Sequence, residues 1–85
     1  MKQIRIFGTP ECSKCQKMRP IIMDLMENHG LNIELNMLEG NEQLFFDEEI
    51  EGYPTIKFYR NNEFYAKLKG VVTKEEILNI YNEVK

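Results

Sequence analysis

Cysteine and histidine are scarce in these 85 residues: two of the first and one of the second. A structural zinc site needs a full tetrahedral set of nitrogen and sulfur ligands. Two cysteines and the distant His29 do not supply one within a single chain, so only a metal shared between two copies stays open. Long apolar runs are missing too, and none approaches the roughly 20 residues of a membrane-spanning helix. Positive charge is not in excess, since 11 Lys and Arg against 14 Asp and Glu leave a net −3, which argues against a nucleic-acid partner. No secretory pattern precedes the run Gln3-Ile4-Arg5-Ile6-Phe7. A cytoplasmic, reducing setting is therefore expected, where a cysteine pair serves catalysis or metal binding more often than it staples a fold.

Repeats, low-complexity tracts and linkers are also absent, and residues 1–85 read as one small α/β domain. Ile4 and Ile6 alternate with Arg5 and Phe7, a short strand. Met18, Ile22, Leu25 and Met26 recur with helical spacing between Ser13 and His29, and Gly30 is a natural stop. Pro20 inside that stripe predicts a bend rather than two abutting helices. Ile33, Leu35 and Met37 form a second alternating strand. Asn41 is placed to cap a short helix carrying Leu44 and Phe45. After Gly52-Tyr53-Pro54, Ile56 and Phe58 alternate along a third strand, Asn61-Asn62 suits a tight hairpin, and Phe64, Ala66 and Leu68 line the return. Thr73 and Glu76 have capping-box spacing before a last helix with Ile77, Ile80, Tyr81 and Val84. The order is βαβαββα: a parallel pair from the first crossover and an antiparallel pair from the hairpin, in a mixed four-stranded sheet flanked by helices. The acids between Glu39 and Glu51 read as a solvated face.

Both cysteines lie in Cys12-Ser13-Lys14-Cys15, at the start of the long helix. A helix N-terminus favours negative charge, so a thiol at Cys12 ionises more readily there. Ser13 and Lys14, between the cysteines, are the candidates for tuning that thiolate; Lys14 reads equally as a solvated surface residue. Cys15, one turn further in, is less exposed and able to attack a mixed disulfide formed at Cys12. A purely structural disulfide would close too small a loop to constrain the unfolded chain much. His29 reads as a cation at the helix C-terminus rather than a base, and the methionines as fillers of the core and its margin. By frequency alone the Tyr53–Pro54 bond would be trans.

Cys12-Ser13-Lys14-Cys15, Pro20, Gly52-Tyr53-Pro54-Thr55 and Gly70 before a final helix, in this order, resemble the thioredoxin family, in its short, glutaredoxin-sized versions. The resemblance covers nearly the whole chain and implies the minimal thioredoxin fold, with the second strand outermost, then the first, third and fourth. It implies a protein-disulfide reductase with Cys12 as nucleophile and Cys15 as resolving thiol. It makes Pro54 a cis-proline facing the dithiol, with Tyr53, Thr55 and Gly70 on the substrate-binding surface, and Pro20 the proline that kinks the helix. No bound cofactor is implied beyond the redox-active Cys12–Cys15 pair. Electrons would come from a thioredoxin-reductase-type donor or from glutathione, and the substrates would be protein disulfides, ribonucleotide reductase among them, acted on by a monomer. Three positions depart from the pattern. Glu11 stands where tryptophan is usual, Ser13-Lys14 replaces Gly-Pro, and Ile6 occupies the place of a buried acid that assists proton transfer.

Glutaredoxin is the competing likeness. Size favours it, and Lys14 or Tyr53 could contact glutathione. Thr55-Ile56 after Pro54 favours the thioredoxin type instead, as does Gly70-Val71-Val72-Thr73, which lacks paired glycines and a following acid. A reading of another class is a non-enzymatic binding module, or a dimer bridged by a metal.

Overall fold

The first strand carries Ile4, Ile6 and Phe7 and becomes a central strand of the sheet. In the computed structural model, which describes residues 1–84, β1 (Lys2–Gly8) lies between β2 (Ile33–Met37) and β3 (Thr55–Arg60), with β4 (Glu63–Lys69) outermost beyond β3. β1 runs parallel to β2 with Ile6 opposite Leu35, and antiparallel to β3 with Ile6 opposite Ile56. Three helices complete the order βαβαββα: α1 (Ser13–Asn28), α2 (Glu42–Asp47) and α3 (Lys74–Glu83). The helix α1 runs unbroken through Pro20.

One face of the sheet is covered by the main hydrophobic core. Ile4, Ile6, Ile56 and Phe58 pack there with Met18, Ile22 and Leu25 of α1, Leu31, Ile77 of α3, and Val84. The other face of the central strands is buried as well, which alternation alone does not convey. Phe7 meets Phe45 of α2 edge-on, with centroids 5.3 Å apart, and every residue of β3 from Thr55 to Tyr59 is buried, Lys57 among them. Lys57 keeps its charge solvated by protein, its Nζ donating to the Glu48 carbonyl at 2.7 Å, as a buried ammonium requires.

Three local expectations need correction. Leu35 does not enter the core but is 47% exposed, because β2 is an edge strand with cover on one side at most. Phe64 does not share a face with Ala66 and Leu68. A β-bulge pairs Tyr59 with Phe64 while Phe58 pairs with Ala66; the extra residue flips the alternation, and Phe64 stacks edge-on with Tyr59 at 6.1 Å. Asn41 precedes α2 but makes no side-chain cap; its amide donates to the Met37 carbonyl instead, at 2.8 Å. Elsewhere the local chemistry follows the residues. Asn61 and Asn62 both take positive φ, 51° and 68°, as a tight hairpin between twisted strands demands. Thr73 Oγ1 accepts from the Glu76 amide at 3.1 Å. His29 ends α1 and its Nε2 lies 3.6 Å from Asp24 Oδ2.

Candidate functional site

β1 ends at Gly8 against the sheet, and a short turn carries the chain to α1. The Cys12 amide donates to the Thr9 carbonyl at 3.3 Å, and the Glu11 amide to Thr9 Oγ1 at 3.2 Å. Gln16 Nε2 closes the turn on the Pro10 carbonyl at 2.9 Å. Cys12 is thereby held in extended conformation as the N-cap of α1, its sulfur accepting from the Cys15 amide at 3.2 Å. The cap role that serine or aspartate usually fills is taken by a sulfur, and the orphan amide it satisfies favours the thiolate.

The two thiols are driven apart in acidity. Cys12 is held below the ordinary thiol value, first by a hydrogen bond from the Cys15 side chain. Partial desolvation opposes this, and the backbone amides of Cys15 and Lys14 reinforce it, with the Lys14 ammonium the smallest contributor. Lys14 therefore acts more through its place in the first turn than through its charge. Its side chain and that of Ser13 are exposed. Cys15 is pushed up to about 11, chiefly by burial and then by its hydrogen bond to Cys12, while a backbone hydrogen bond from Thr9 works the other way. Both cysteines are free thiols and half-buried.

The second half of the site comes from the opposite end of the chain. The Tyr53–Pro54 peptide bond is cis, not the trans form that frequency alone favours. Pro54 is buried and lines the same cavity as Cys15. The Gly70 amide donates to the Pro54 carbonyl at 2.9 Å, with Gly70 at a φ of 79°, a left-handed conformation open to glycine at little cost. Thr55 Oγ1 donates to the Gly52 carbonyl at 2.7 Å, and Tyr53 leans on Phe45 at 6.0 Å. Cys15 and Pro54 thus meet at one cavity, with Gly70 and Thr55 hydrogen-bonded around the proline loop, while Ser13 and Lys14 stay on the outer rim.

Sequence reasoning missed the walls of that cavity. Besides Cys15 and Pro54 they include Ile6, Gly8, Met18 and Leu35, with Arg19 at the margin. Ile6, 5% exposed, puts an apolar side chain beside Cys15, and no carboxylate lines the cavity among the described residues. Gly8 left a signal that could have been read: a glycine ending a strand four residues before a reactive thiol. No group of three or more His, Cys, Asp or Glu side chains that could hold a metal ion occurs among the described residues.

The thioredoxin family model matches residues 4–83. The chain belongs to the thioredoxin family. It is 36% identical over 70 residues to thioredoxin domain-containing protein 2 of Rattus norvegicus, a match covering 81% of this chain and 13% of the rat protein. It is 26% identical over 79 residues to a thioredoxin-like protein of Synechocystis, covering 91% of this chain and 72% of that one. The chain thus spans only a small part of the rat relative. In fold it superposes on thioredoxin-2 of a malaria parasite with a TM-score of 0.91 at 18% identity, covering 98% of this chain and 82% of the other. This thioredoxin-family chain thus carries two neighbouring free thiols, the groups that thiol–disulfide exchange requires.

Proposed function

We propose that this thioredoxin-family chain reduces protein disulfides by dithiol exchange, with Cys12 as nucleophile and Cys15 as resolving thiol. The observation that carries the reading is the opposed acidity of the pair: Cys12 lowered at the N-cap of α1, Cys15 raised to about 11 against the cavity wall. Cys12 is therefore the sulfur that ionises first and attacks, while Cys15 still holds its proton.

The Cys12 thiolate attacks one sulfur of a substrate disulfide, and the other substrate sulfur leaves as a thiolate. Cys15 then gives up its proton and attacks Cys12 Sγ. The Cys12–Cys15 bond forms as the Cys12–substrate bond breaks, and two electrons have passed to the substrate, whose thiolates take up protons. With Ile6 at the cavity wall, the Cys15 proton passes to water rather than to a buried carboxylate. Tyr53 and Gly70, half-buried beside the buried Pro54 and Thr55, form the surface on which an extended substrate segment lies, and no prosthetic group takes part. The oxidised pair is restored by a thioredoxin-reductase-type donor, in a cytoplasmic monomer, with ribonucleotide reductase one candidate substrate.

The test is NADPH consumption during reduction of a protein disulfide, with thioredoxin reductase in one reaction and glutathione plus glutathione reductase in the other. Turnover with the first alone is expected. Turnover with glutathione alone makes this a glutaredoxin. Cys12→Ser abolishes turnover, and Cys15→Ser traps a mixed disulfide. Turnover in neither reaction, with a metal-dependent dimer in solution, would replace the enzymatic reading by a bridged module.

A further inference from the structure

We infer that Gly8 is a positioning residue for the resolving thiol, the missing side chain at the end of β1 forming the seat of the Cys15 sulfur. The inference rests on the dithiol reading above and extends it to a residue outside the cysteine motif. A Cβ built on Gly8 stands 2.9 Å from Cys15 Sγ and 3.6 Å from Cys15 Cβ, and the sulfur is the closer of these two neighbours. Gly8 is an ordinary strand residue, the last of β1, and it is not among the glycines with positive φ. Backbone conformation therefore gives no reason for glycine here. Only the approach of the sulfur does.

The consequence is specific to one step. Cys15 has a single side-chain torsion, so a methyl group at position 8 moves the sulfur off the strand without disturbing the strand itself. The Gly8 carbonyl accepts from the Leu38 amide at 2.9 Å, a backbone bond that a methyl group on the Gly8 Cα does not replace. The first attack is made by Cys12 Sγ, which the Cys15 amide still holds at 3.2 Å, and it feels the seat only through the hydrogen bond that Cys12 receives from the Cys15 thiol. The second attack forms the Cys12–Cys15 bond while the Cys12–substrate bond breaks. It needs Cys15 Sγ in line with that bond, and displacing the sulfur by a few tenths of an ångström spoils the alignment.

The experiment is a stopped-flow reaction of the reduced full chain with 5,5′-dithiobis(2-nitrobenzoic acid), comparing wild type, Gly8→Ala and Cys15→Ser. Each protein releases one thionitrobenzoate as the mixed disulfide forms, and the wild type a second as Cys15 resolves it. For Gly8→Ala the first release is expected to stay within about twofold of wild type, and the second to slow by about tenfold or more. Circular dichroism and thermal melting should match wild type. Equal rates for both releases in Gly8→Ala and wild type would overturn the assignment. So would equal slowing of both releases, which marks a general structural role. If wild type itself gives no second release, the dithiol reading fails before Gly8 is at issue, so the two failures are distinguishable.

Discussion

The two faces of the central strands are both buried, yet they are held by different physics. On the α1 and α3 side the buried core is aliphatic and aromatic, built of Ile4, Ile6, Ile56, Phe58 and their partners, with the Met18 sulfur accepting from the Val72 amide at 3.5 Å. On the α2 side Phe7 and Phe45 share the space with Lys57, Tyr59 and Arg5. Tyr59 Oη donates to Glu48 Oε1 at 2.8 Å, and the Arg5 guanidinium lies 4.1 Å over the Tyr59 ring. The reactive thiol pair opens onto the first face. There burial raises Cys15 with no neighbouring charge to offset it, whereas on the second face a buried ammonium is tolerated because a carbonyl and two aromatic rings surround it. The apolar face supplies stability and thiol contrast together; the mixed face supplies specificity of packing.

Substitutions on the two faces should separate these roles. Phe58→Ala, on the apolar side, is expected to cost about 3–5 kcal/mol in urea unfolding through the cavity it leaves. Next comes a pH effect on each face. Cys15 and Tyr59 both hold their protons above the ordinary values of 9.0 and 10.0, to about 11 and about 12. A raised folded value gives stability that is full below the unfolded value and lost as pH climbs toward the folded one. The reduced protein should therefore lose stability from pH 9 upward through Cys15, and more steeply above pH 10 as Tyr59 joins. Cys12, lowered, has the opposite sign, and its contribution is complete by pH 9. Urea melts under a phosphine reductant check this. Cys15→Ser should flatten the fall between pH 9 and 10, and Tyr59→Phe only the part above 10. Smaller still is Tyr59→Phe at neutral pH, about 1 kcal/mol for one hydrogen bond. Lys57→Met, which keeps the stem and removes the charge, should stay within about 1 kcal/mol of wild type. A loss as large as that of Phe58→Ala would show that the mixed face supplies stability as the apolar face does.

How far the residues alone reveal this follows from what each pattern encodes. The α1 stripe, the Asn61-Asn62 turn and the Thr73 cap are local, so the element order was legible. The cysteines, Pro54 and Gly70 were legible as a motif set, because each needs its own residue type. Leu35 misled because alternation does not say whether a strand is central or outermost. Phe64 misled because a bulge is one inserted residue with no residue type of its own. Lys57 escaped notice because a lysine in an alternating strand reads as solvent-facing, and its partner, the Glu48 carbonyl, is a backbone atom from another element. The walls of the Cys15 cavity come from β1, α1 and β2, and only the folded register brings them together.

That bulge between β3 and β4 has a consequence beyond the placement of Phe64. β4 is the outermost strand on its side of the sheet, and its outer backbone groups are free to template a strand from a neighbouring molecule. It also carries Phe64 and Tyr65, 55% and 46% exposed, the kind of surface on which such pairing grows. The irregular register at its Glu63 end, together with Lys67 and Lys69 along the strand, denies a second copy a flat, uncharged edge to lie against. One extra residue and two lysines thus make this edge a poor template for a second copy.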